Sequence, residues 1–323
     1  MKPLIEIKNL KKHYRLKRGI LRAVDDISFE IYPGETLGLV GESGCGKSTL
    51  ARALLRLFNP TAGTIKFDGN SIFDPAYDKT CRREIQMIFQ NPYASLNPRM
   101  SAGEIIEEPL ILQTNMTKKS RKKRIEQLLD LVGFIPEQAH RYPHEFSGGQ
   151  RQRIGIARAL ALNPRFIICD EPITALDVSI QAQIVNLLKK LQQGLDLTYL
   201  FISHDLSMVR YLSNRVAVMY LGQLVELAPT QKLYSNPLHP YTQALLSAIP
   251  IPDPVIEKKR TRIALPGDVP SPLKQMPGCP FASRCAKAMP HCHTTKPTWQ
   301  EISPGHHVAC HLYNKSPEEP KGD

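Results

Sequence analysis

A glycine-rich segment near the start of the sequence has the residue types and spacing for phosphate binding. The segment GESGCGKST begins at Gly41 and fits the pattern GxxxxGK(S/T). Glycines let backbone N–H groups approach phosphates closely, Lys47 offers a positive charge, and Ser48 offers a hydroxyl to magnesium. The residues of this loop predicted to bind a nucleotide are Gly41, Ser43, Gly44, Cys45, Gly46, Lys47, Ser48 and Thr49.

Two adjacent acids end an apolar segment later in the chain. Asp170 closes the segment RFIICDEP together with Glu171 and lies 123 positions after Lys47. A magnesium–nucleotide site needs one acid near the metal, which suits Asp170, and one near the attacking water, which suits Glu171 as general base. His204 ends another apolar segment and is placed to contact the γ-phosphate. These groups predict a nucleotide hydrolase.

The segment FSGGQ, at residues 146–150, predicts a second anion-binding element. Ser147 and two glycines precede a basic amphipathic segment, as at the N-terminus of a helix that binds anions. The chain then has two phosphate-binding elements but one lysine-bearing loop. The economical arrangement is two subunits head to tail, each nucleotide held between one loop and the opposite SGGQ helix. The residues predicted to face the partner's nucleotide are Ser147, Gly148, Gly149 and Gln150.

Short apolar segments must position these groups. Thr36–Val40 and residues 166–169 and 199–202 each have the pattern of a buried parallel strand, and each comes directly before a chemical segment. Residues 63–72 favour an antiparallel sheet, and residues 216–228 predict a hairpin that turns near positions 221–222.

The remaining chain divides by composition. Residues 91–163 have a largely helical pattern, and beyond Pro229 the sequence becomes rich in proline, histidine and cysteine. We therefore predict a nucleotide-binding domain at 1–229 and an extension at 230–323.

Composition limits the location and the partners. No stretch approaches the roughly 18 to 20 consecutive apolar residues of a membrane span, and the first residues lack the apolar block of a signal peptide. The chain is thus expected in the cytosol or on the cytosolic face of a membrane. The net charge is +12, with basic clusters at residues 11–18, 118–124 and 258–262. Solvated surfaces explain each cluster, and together they could favour anionic lipid or nucleic acid.

The ordered motifs resemble those of the ATP-binding subunits of ABC transporters over roughly residues 4–250. The resemblance implies a P-loop α/β fold with a mostly parallel core sheet, an antiparallel β subdomain and a helical signature subdomain. It also implies that Tyr14 stacks on adenine and that Asp177 lies in a loop crossing the dimer interface. Phe146 stands where leucine is usual, which leaves the catalytic groups intact. ATP and Mg²⁺ follow as cofactors, with catalysis by Lys47, Gln90, Glu171 and His204 and magnesium contacts from Ser48, Gln90 and Asp170.

Two further segments narrow the resemblance to dipeptide and oligopeptide importers: FQNPYASLNP at 89–98 and NPLHPYTQALLSAIP at 236–250. The first lies beside Gln90, which in the family couples to the membrane subunits. The resemblance implies two permease subunits, a second ATPase that is homologous rather than identical, an external substrate-binding protein, and a place on the cytoplasmic face of the inner membrane.

Two alternative functions remain open from the sequence. In the first, the chain powers an ABC importer of another solute, such as a metal or a glutathione-like compound. A soluble ATPase acting on nucleic acid is disfavoured, because the chain has a single cassette and 99 residues between Lys47 and Ser147 leave no room for a long coiled-coil insertion. We expect no nucleic-acid partner.

Four of the seven cysteines lie in the extension, and they suggest a metal centre. Five, six and seventeen residues separate them, which matches neither paired CxxC motifs nor the bacterial ferredoxin run. The residues alone indicate only that four thiols could enclose a metal. The family resemblance implies a four-iron four-sulfur cluster on Cys279, Cys285, Cys292 and Cys310. Zinc is the rival, helped by nearby histidines, and unliganded thiols are the third interpretation.

Overall fold

The computed structural model describes residues 2–174, 176–250, 262–273 and 276–313. Residues 258–261 of the third basic cluster and residues 314–323 of the predicted extension lie outside the described residues. The strands are β1 (Ile5–Leu16), β2 (Gly19–Ile31), β3 (Thr36–Val40), β4 (Ala62–Phe67), β5 (Asn70–Ser71), β6 (Ile85–Ile88), β7 (Phe166–Asp170), β8 (Thr198–Ile202), β9 (Arg215–Tyr220), β10 (Gln223–Pro229), β11 (Trp299–Ser303) and β12 (His306–Ala309). The helices are α1 (Lys47–Leu54), α2 (Asp78–Glu84), α3 (Pro92–Ser95), α4 (Ala102–Gln113), α5 (Lys118–Leu131), α6 (Gly148–Leu160), α7 (Val178–Leu195), α8 (Leu206–Leu212), α9 (Thr230–Ser235) and α10 (Pro240–Ser247).

The larger sheet has eight strands in the order β11-β12-β10-β9-β3-β8-β7-β6. Its central pairs are parallel: β3 pairs with β8 and β9, and β7 pairs with β6 and β8. The strands β3, β7 and β8 are buried along their whole length, as strands are when both faces of a parallel sheet are covered. Because carboxyl ends of parallel strands share one edge, the segments that follow β3, β7 and β8 converge there.

The smaller sheet is antiparallel, with the order β2-β1-β4-β5. At the start of β1 the side chains of Ile5 and Ile7 are buried and those between and after them are more exposed, which is the period of a strand with one covered face. The predicted hairpin is present as β9 and β10. Its turn residues Leu221 and Gly222 both have positive φ, +43° and +81°, which suits the right-handed twist of a hairpin.

Helices α3 to α6 connect β6 to β7. The helix α4 begins with a capping box in which Ser101 and Glu104 satisfy each other's backbone N–H groups. The helix α6 buries Ile154, Ile156 and Leu160 in the hydrophobic core that it shares with α4. Among the helices that the structure describes, none is both long enough and apolar enough to cross a bilayer.

The extension continues the larger sheet, because β12 pairs with β10. The carboxylate of Glu226 in β10 is fully buried and accepts the backbone N–H groups of Leu238 and His239 at 2.8 and 2.9 Å. It also meets Nε2 of His306 at 2.7 Å. Three partners satisfy a carboxylate that would otherwise be costly to bury. The sequence analysis missed this docking, since pairing across about 80 positions leaves no local periodicity.

Candidate active site

The phosphate loop joins β3 to α1, and its glycines are required by its backbone. Gly41, Gly44 and Gly46 have φ of +153°, +79° and +107°, which favour glycine. A Cβ at Gly41 would lie 2.1 Å from the carbonyl oxygen of Met219, and one at Gly46 would lie 2.0 Å from that of Ala23. At Gly44 a Cβ would meet nothing within 4 Å, so this part of the loop faces open space. The loop is thus packed behind and open in front.

Lys47 lies inside the loop that it follows. Its ammonium is nearly buried and donates to the carbonyl oxygens of Gly41 and Glu42 at 2.7 and 3.1 Å. The thiol of Cys45 is buried in the core 3.8 Å from the ammonium, so Cys45 can offer phosphate only its backbone N–H. The charge of Lys47 is therefore held at the centre of a ring of backbone groups.

Ser48 and Asp170 meet across the carboxyl edge of the sheet. The Ser48 hydroxyl donates to Oδ1 of Asp170 at 3.3 Å. Burial, and then the neighbouring charge of Glu171, raise the pKa of Asp170. Oxygen donors around a buried carboxylate suit Mg²⁺, whose charge would offset both effects.

The carboxylate of Glu171 is the meeting point of three other side chains. Its Oε2 accepts from Nε2 of Gln90 at 2.8 Å and from the hydroxyl of Thr174 at 3.2 Å, and lies 3.5 Å from Nδ1 of His204. Glu171 has φ of +46°, a conformation that costs of order 1 kcal/mol for a residue with a side chain. Its side chain is still 17% exposed, so water can reach it. Of these residues, only Thr174 was missed by the sequence analysis.

The phosphate loop borders a cleft of about 310 Å³. Glu171, Gln90 and Tyr14 all line this cleft. The Tyr14 ring packs edge-on against Phe58 with centroids 6.1 Å apart. The residues that line the cleft are Tyr14, Leu21, Arg22, Ala23, Ser43, Gly44, Gly46, Lys47, Ser48, Thr49, Gln90, Glu171, Leu221, Gly222 and Pro272.

The Ser-Gly-Gly segment lies away from this cleft. Ser147 caps α6, where its hydroxyl accepts the N–H of Gln150 at 3.3 Å and its own N–H donates to the Gln150 side chain at 2.9 Å. A Cβ on Gly149 would lie 2.4 Å from Cγ2 of Ile180, so close packing on α7 requires glycine. Asp177 caps α7 by accepting the N–H of Ile180 at 3.0 Å. In the described part of the chain, neither residues 147–150 nor Asp177 line the cleft.

The extension also touches the phosphate loop, which the sequence analysis did not predict. The Tyr241 hydroxyl accepts the backbone N–H of Glu42 at 2.9 Å, and Arg284 donates to the Glu42 carboxylate at 2.8 Å. Tyr241 belongs to the HPYTQ segment that was singled out by resemblance, so a signal for it existed. For Arg284 the only signal was its position beside Cys285.

The four cysteines of the extension lie close together. Burial raises the pKa of Cys279 to about 11, and the other three thiols add to the shift, as neighbours do. The sulfur of Cys292 accepts the N–H of Met289 at 3.4 Å. Backbone N–H groups two positions downstream approach the other three sulfurs: Phe281 at Cys279, Lys287 at Cys285 and Leu312 at Cys310. Such N–H groups typically surround sulfurs that bind metals.

A single zinc ion fits the cysteine quartet less well. With Zn–S bonds of about 2.3 Å, a tetrahedral ion brings its sulfurs to about 3.8 Å from one another. Within the described residues, the one trio of metal-binding side chains with all ligand atoms inside 4.8 Å is His291, Cys292 and His311. No three of the four cysteine sulfurs form such a group among these residues, so the histidine-containing trio matches the spacing of a zinc site better.

Comparisons with known proteins show the class to which this chain belongs. The family model described as ABC transporter matches residues 24–174, which carry the phosphate loop, Gln90 and the acid pair. The fold agrees: the dimeric ATP-binding cassette MJ0796, solved in a post-hydrolysis state with ADP and Pi, has a TM-score of 0.64 and 32% identity, over 70% of this chain and 98% of that one. The cbiO1 protein of Clostridium perfringens has a TM-score of 0.65 and 26% identity, over 73% and 92%. The predicted ABC ATPase fold is confirmed.

Other comparisons define the branch. The model described as the C-terminal region of oligopeptide/dipeptide transporters matches residues 225–292. The oligopeptide transport ATP-binding protein OppF of Bacillus subtilis is 55% identical, over 95% of this chain and 96% of its own length. The oligopeptide transport ATP-binding protein AppF of the same organism is 52% identical, over 96% and 98%. The chain belongs to the oligopeptide/dipeptide family of ABC transporter ATP-binding proteins, as its motifs predicted.

Proposed function

We propose that this chain hydrolyses ATP to drive the import of dipeptides or oligopeptides through an ABC transporter. The observation that carries the proposal is the carboxylate of Glu171, which meets Gln90 and His204 at the edge of the cleft that holds Lys47. Substrate class is supported by the match of residues 225–292 to the peptide-transporter C-terminal region and by the names of the relatives. Import of a metal or a glutathione-like solute is the alternative.

Each group in the cleft has a distinct role in this proposal. Backbone N–H groups of the loop and the ammonium of Lys47 bind the β- and γ-phosphates. Ser48, Asp170 and Gln90 would hold Mg²⁺, which supplies charge neutralisation on the phosphates when bound. Glu171 accepts the proton of the attacking water, since its Oε2 is anchored by Gln90 and Thr174 yet exposed. His204 contacts the γ-phosphate, and Tyr14 stacks on adenine.

Pairing with a second ATPase completes each site. The cap of α6 leaves Ser147 exposed and Gly148 half-buried, away from the cleft of its own chain, so it is suited to a nucleotide held by another subunit. Asp177 would then lie in the loop that crosses the interface. We propose a head-to-tail partner that is homologous rather than identical. This arrangement ties hydrolysis to closure of the pair, and so to movement of the permeases.

The permeases would bind beside Gln90. A cleft of about 400 Å³ there carries the exposed apolar side chains of Leu57, Phe89 and Leu112. Apolar surface of this kind next to a catalytic glutamine suits a short helix from a membrane subunit. We propose two permeases, an external substrate-binding protein, a peripheral place on the cytoplasmic face of the inner membrane, and no nucleic-acid partner.

We also propose a domain division at residue 229, with a helical subdomain at about 91–163 and the extension at 230–323. The extension would hold a four-iron four-sulfur cluster on its cysteine quartet. Support comes from the backbone N–H groups at all four sulfurs and from the closeness of Cys279 to the other three thiols. Zinc on the trio of His291, Cys292 and His311 is the alternative. The centre would fasten a segment whose short strands supply little core of their own.

Transport in cells tests the function. We expect a strain lacking this chain to lose uptake of labelled di- and oligopeptides, and the wild-type gene but not Lys47→Met to restore it. Uptake of a free amino acid and of nickel serves as the control. Normal peptide uptake with a loss of nickel or glutathione uptake would assign the transporter to the alternative solute.

A further inference from the structure

The extension reaches the phosphate loop from behind, and its contacts converge on Glu42. The side chain of Glu42 accepts from Nη1 of Arg284 at 2.8 Å, and its backbone N–H donates to the Tyr241 hydroxyl at 2.9 Å. Its carbonyl oxygen accepts from the Lys47 ammonium at 3.1 Å. One residue of the loop therefore connects the extension with the lysine that binds phosphate.

The surroundings hold these contacts in a defined geometry. The side chain of Arg284 is 8% exposed, and Tyr241 is fully buried. The rings of Tyr220, Tyr241 and Phe281 pack with centroid separations of 4.7, 5.3 and 5.4 Å. Aromatic side chains at such distances have preferred mutual orientations and few rotamers. Arg284 and Tyr241 thus approach Glu42 from a rigid base.

We propose that Arg284 and Tyr241 are positioning residues of the ATPase. They hold Glu42, and through it the loop and Lys47, in the arrangement that receives the β- and γ-phosphates. The proposal rests on the proposed function, because it concerns the same nucleotide site. Neither residue touches the reacting atoms, and their action is on nucleotide affinity.

The expected consequence follows from the chemistry of a buried pair. Without Arg284, the carboxylate of Glu42, whose side chain is only 25% exposed, loses its ion-pair partner. The loop then loses a contact that fixes its position. The loop must then be ordered by the nucleotide, at the expense of affinity. The groups around Glu171 are left in place, so KM for ATP should rise more than kcat falls.

The test uses the full-length protein, purified without oxygen so that any metal centre of the extension is kept. The probe is magnesium AMP-PNP. Arg284→Met should raise Kd about 10-fold by calorimetry, equivalent to about 1.4 kcal/mol. Lys287→Met is the matched control: it removes a cation from the same extension, where Nζ contacts only the Gln243 side chain among the described residues, and should change Kd by less than about 2-fold. Arg284→Lys should recover part of the affinity. An equal Kd for wild type and Arg284→Met would overturn the proposal.

A double-mutant cycle separates positioning from general destabilisation. Glu42→Gln should weaken binding as Arg284→Met does, and the double variant should be no weaker than either, because both remove one pair. Additive losses would contradict the proposal. If Arg284→Met does not fold, Glu42→Gln and Tyr241→Phe test the proposal instead, because both leave the packing of the extension intact. An unchanged Kd in both variants rejects the proposal. Failure of the wild type to bind AMP-PNP would instead reject the proposed function.

Discussion

The nucleotide cleft and the cysteine-rich extension meet at Glu42, and different forces hold each region together. The cleft is built on β3, β7 and β8, whose buried apolar side chains pack into two hydrophobic cores, one on each face of the sheet. The extension has short strands and short helices, fixed by the buried carboxylate of Glu226 and by closely placed thiols. A fold held by hydrophobic burial stays stable when a residue at the surface of the cleft is changed. A fold held by polar and thiol contacts loses stability when one partner of a contact is removed.

This difference separates the expected effects of mutations. Substitutions in the cleft should stop hydrolysis while the fold persists. Substitutions in the extension should lower stability first, and those at Arg284 and Tyr241 should affect nucleotide binding through Glu42.

Removal of the proposed general base, Glu171, should give the largest effect. Glu171→Gln keeps the shape and the contact with Gln90 but cannot accept the proton of water. We expect phosphate release to fall by about 10² to 10⁴-fold while the ATP-bound pair accumulates on size-exclusion chromatography. Glu137→Gln, an exposed glutamate of the helical region, is the control. Hydrolysis at the wild-type rate by Glu171→Gln would remove this residue from the mechanism.

Among substitutions in the extension, removal of one cysteine of the quartet should have the largest effect. In Cys285→Ser we expect loss of iron and of broad visible absorption from anaerobically purified protein. Unfolding free energy should fall by more than about 3 kcal/mol, because binding energy of a structural metal is folding energy. Cys81→Ser, a buried cysteine outside the quartet, should keep its iron. Zinc without iron in the wild type would favour the trio around His291 and exclude the cluster.

Acid should weaken the extension through His239. Burial lowers the pKa of His239 to about 4, and its Nδ1 accepts the N–H of Tyr241 at 3.0 Å, which requires an unprotonated nitrogen. The unfolded chain takes up this proton below about pH 6.5 and the folded chain only near pH 4, so stability is lost as pH falls through that window. The loss should reach about 3 kcal/mol in urea unfolding. His239→Asn keeps a helix cap and should flatten this dependence. An identical pH profile in the variant would show that other groups titrate.

Removal of Asp170, the buried acid proposed to bind magnesium, should produce a small gain in stability. The carboxylate of Asp170 is destabilised by burial and by Glu171, and an amide removes this cost. We expect Asp170→Asn to raise the melting temperature of nucleotide-free protein by about 2–4 °C and to abolish magnesium-dependent binding of AMP-PNP. Asp268→Asn, an exposed acid of the extension, should change neither. A lower melting temperature in Asp170→Asn would mean that Ser48 stabilises the acid more than burial destabilises it.

The two regions also differ in how far the sequence predicts them. Catalytic groups of the cleft stand in short contiguous motifs at strand ends, and a parallel sheet must bring such ends together, so Lys47, Asp170 and Glu171 could be found from local pattern. The extension is organised by contacts between distant positions, such as Glu226 with His306 and Glu42 with Arg284. Neither pair has a period or a motif. For that reason the docking of the extension on the loop emerged only from the fold.

The central claim is that one chain carries half of each of two shared catalytic sites. The most direct test measures ATP turnover per chain over a concentration series, alone and with the purified partner ATPase and permeases, for wild type and Ser147→Arg. We predict that turnover per chain rises with concentration or on addition of the partners, and that Ser147→Arg stays near zero although it binds AMP-PNP. A monomer with constant, full turnover that is indifferent to Ser147→Arg would contradict the account.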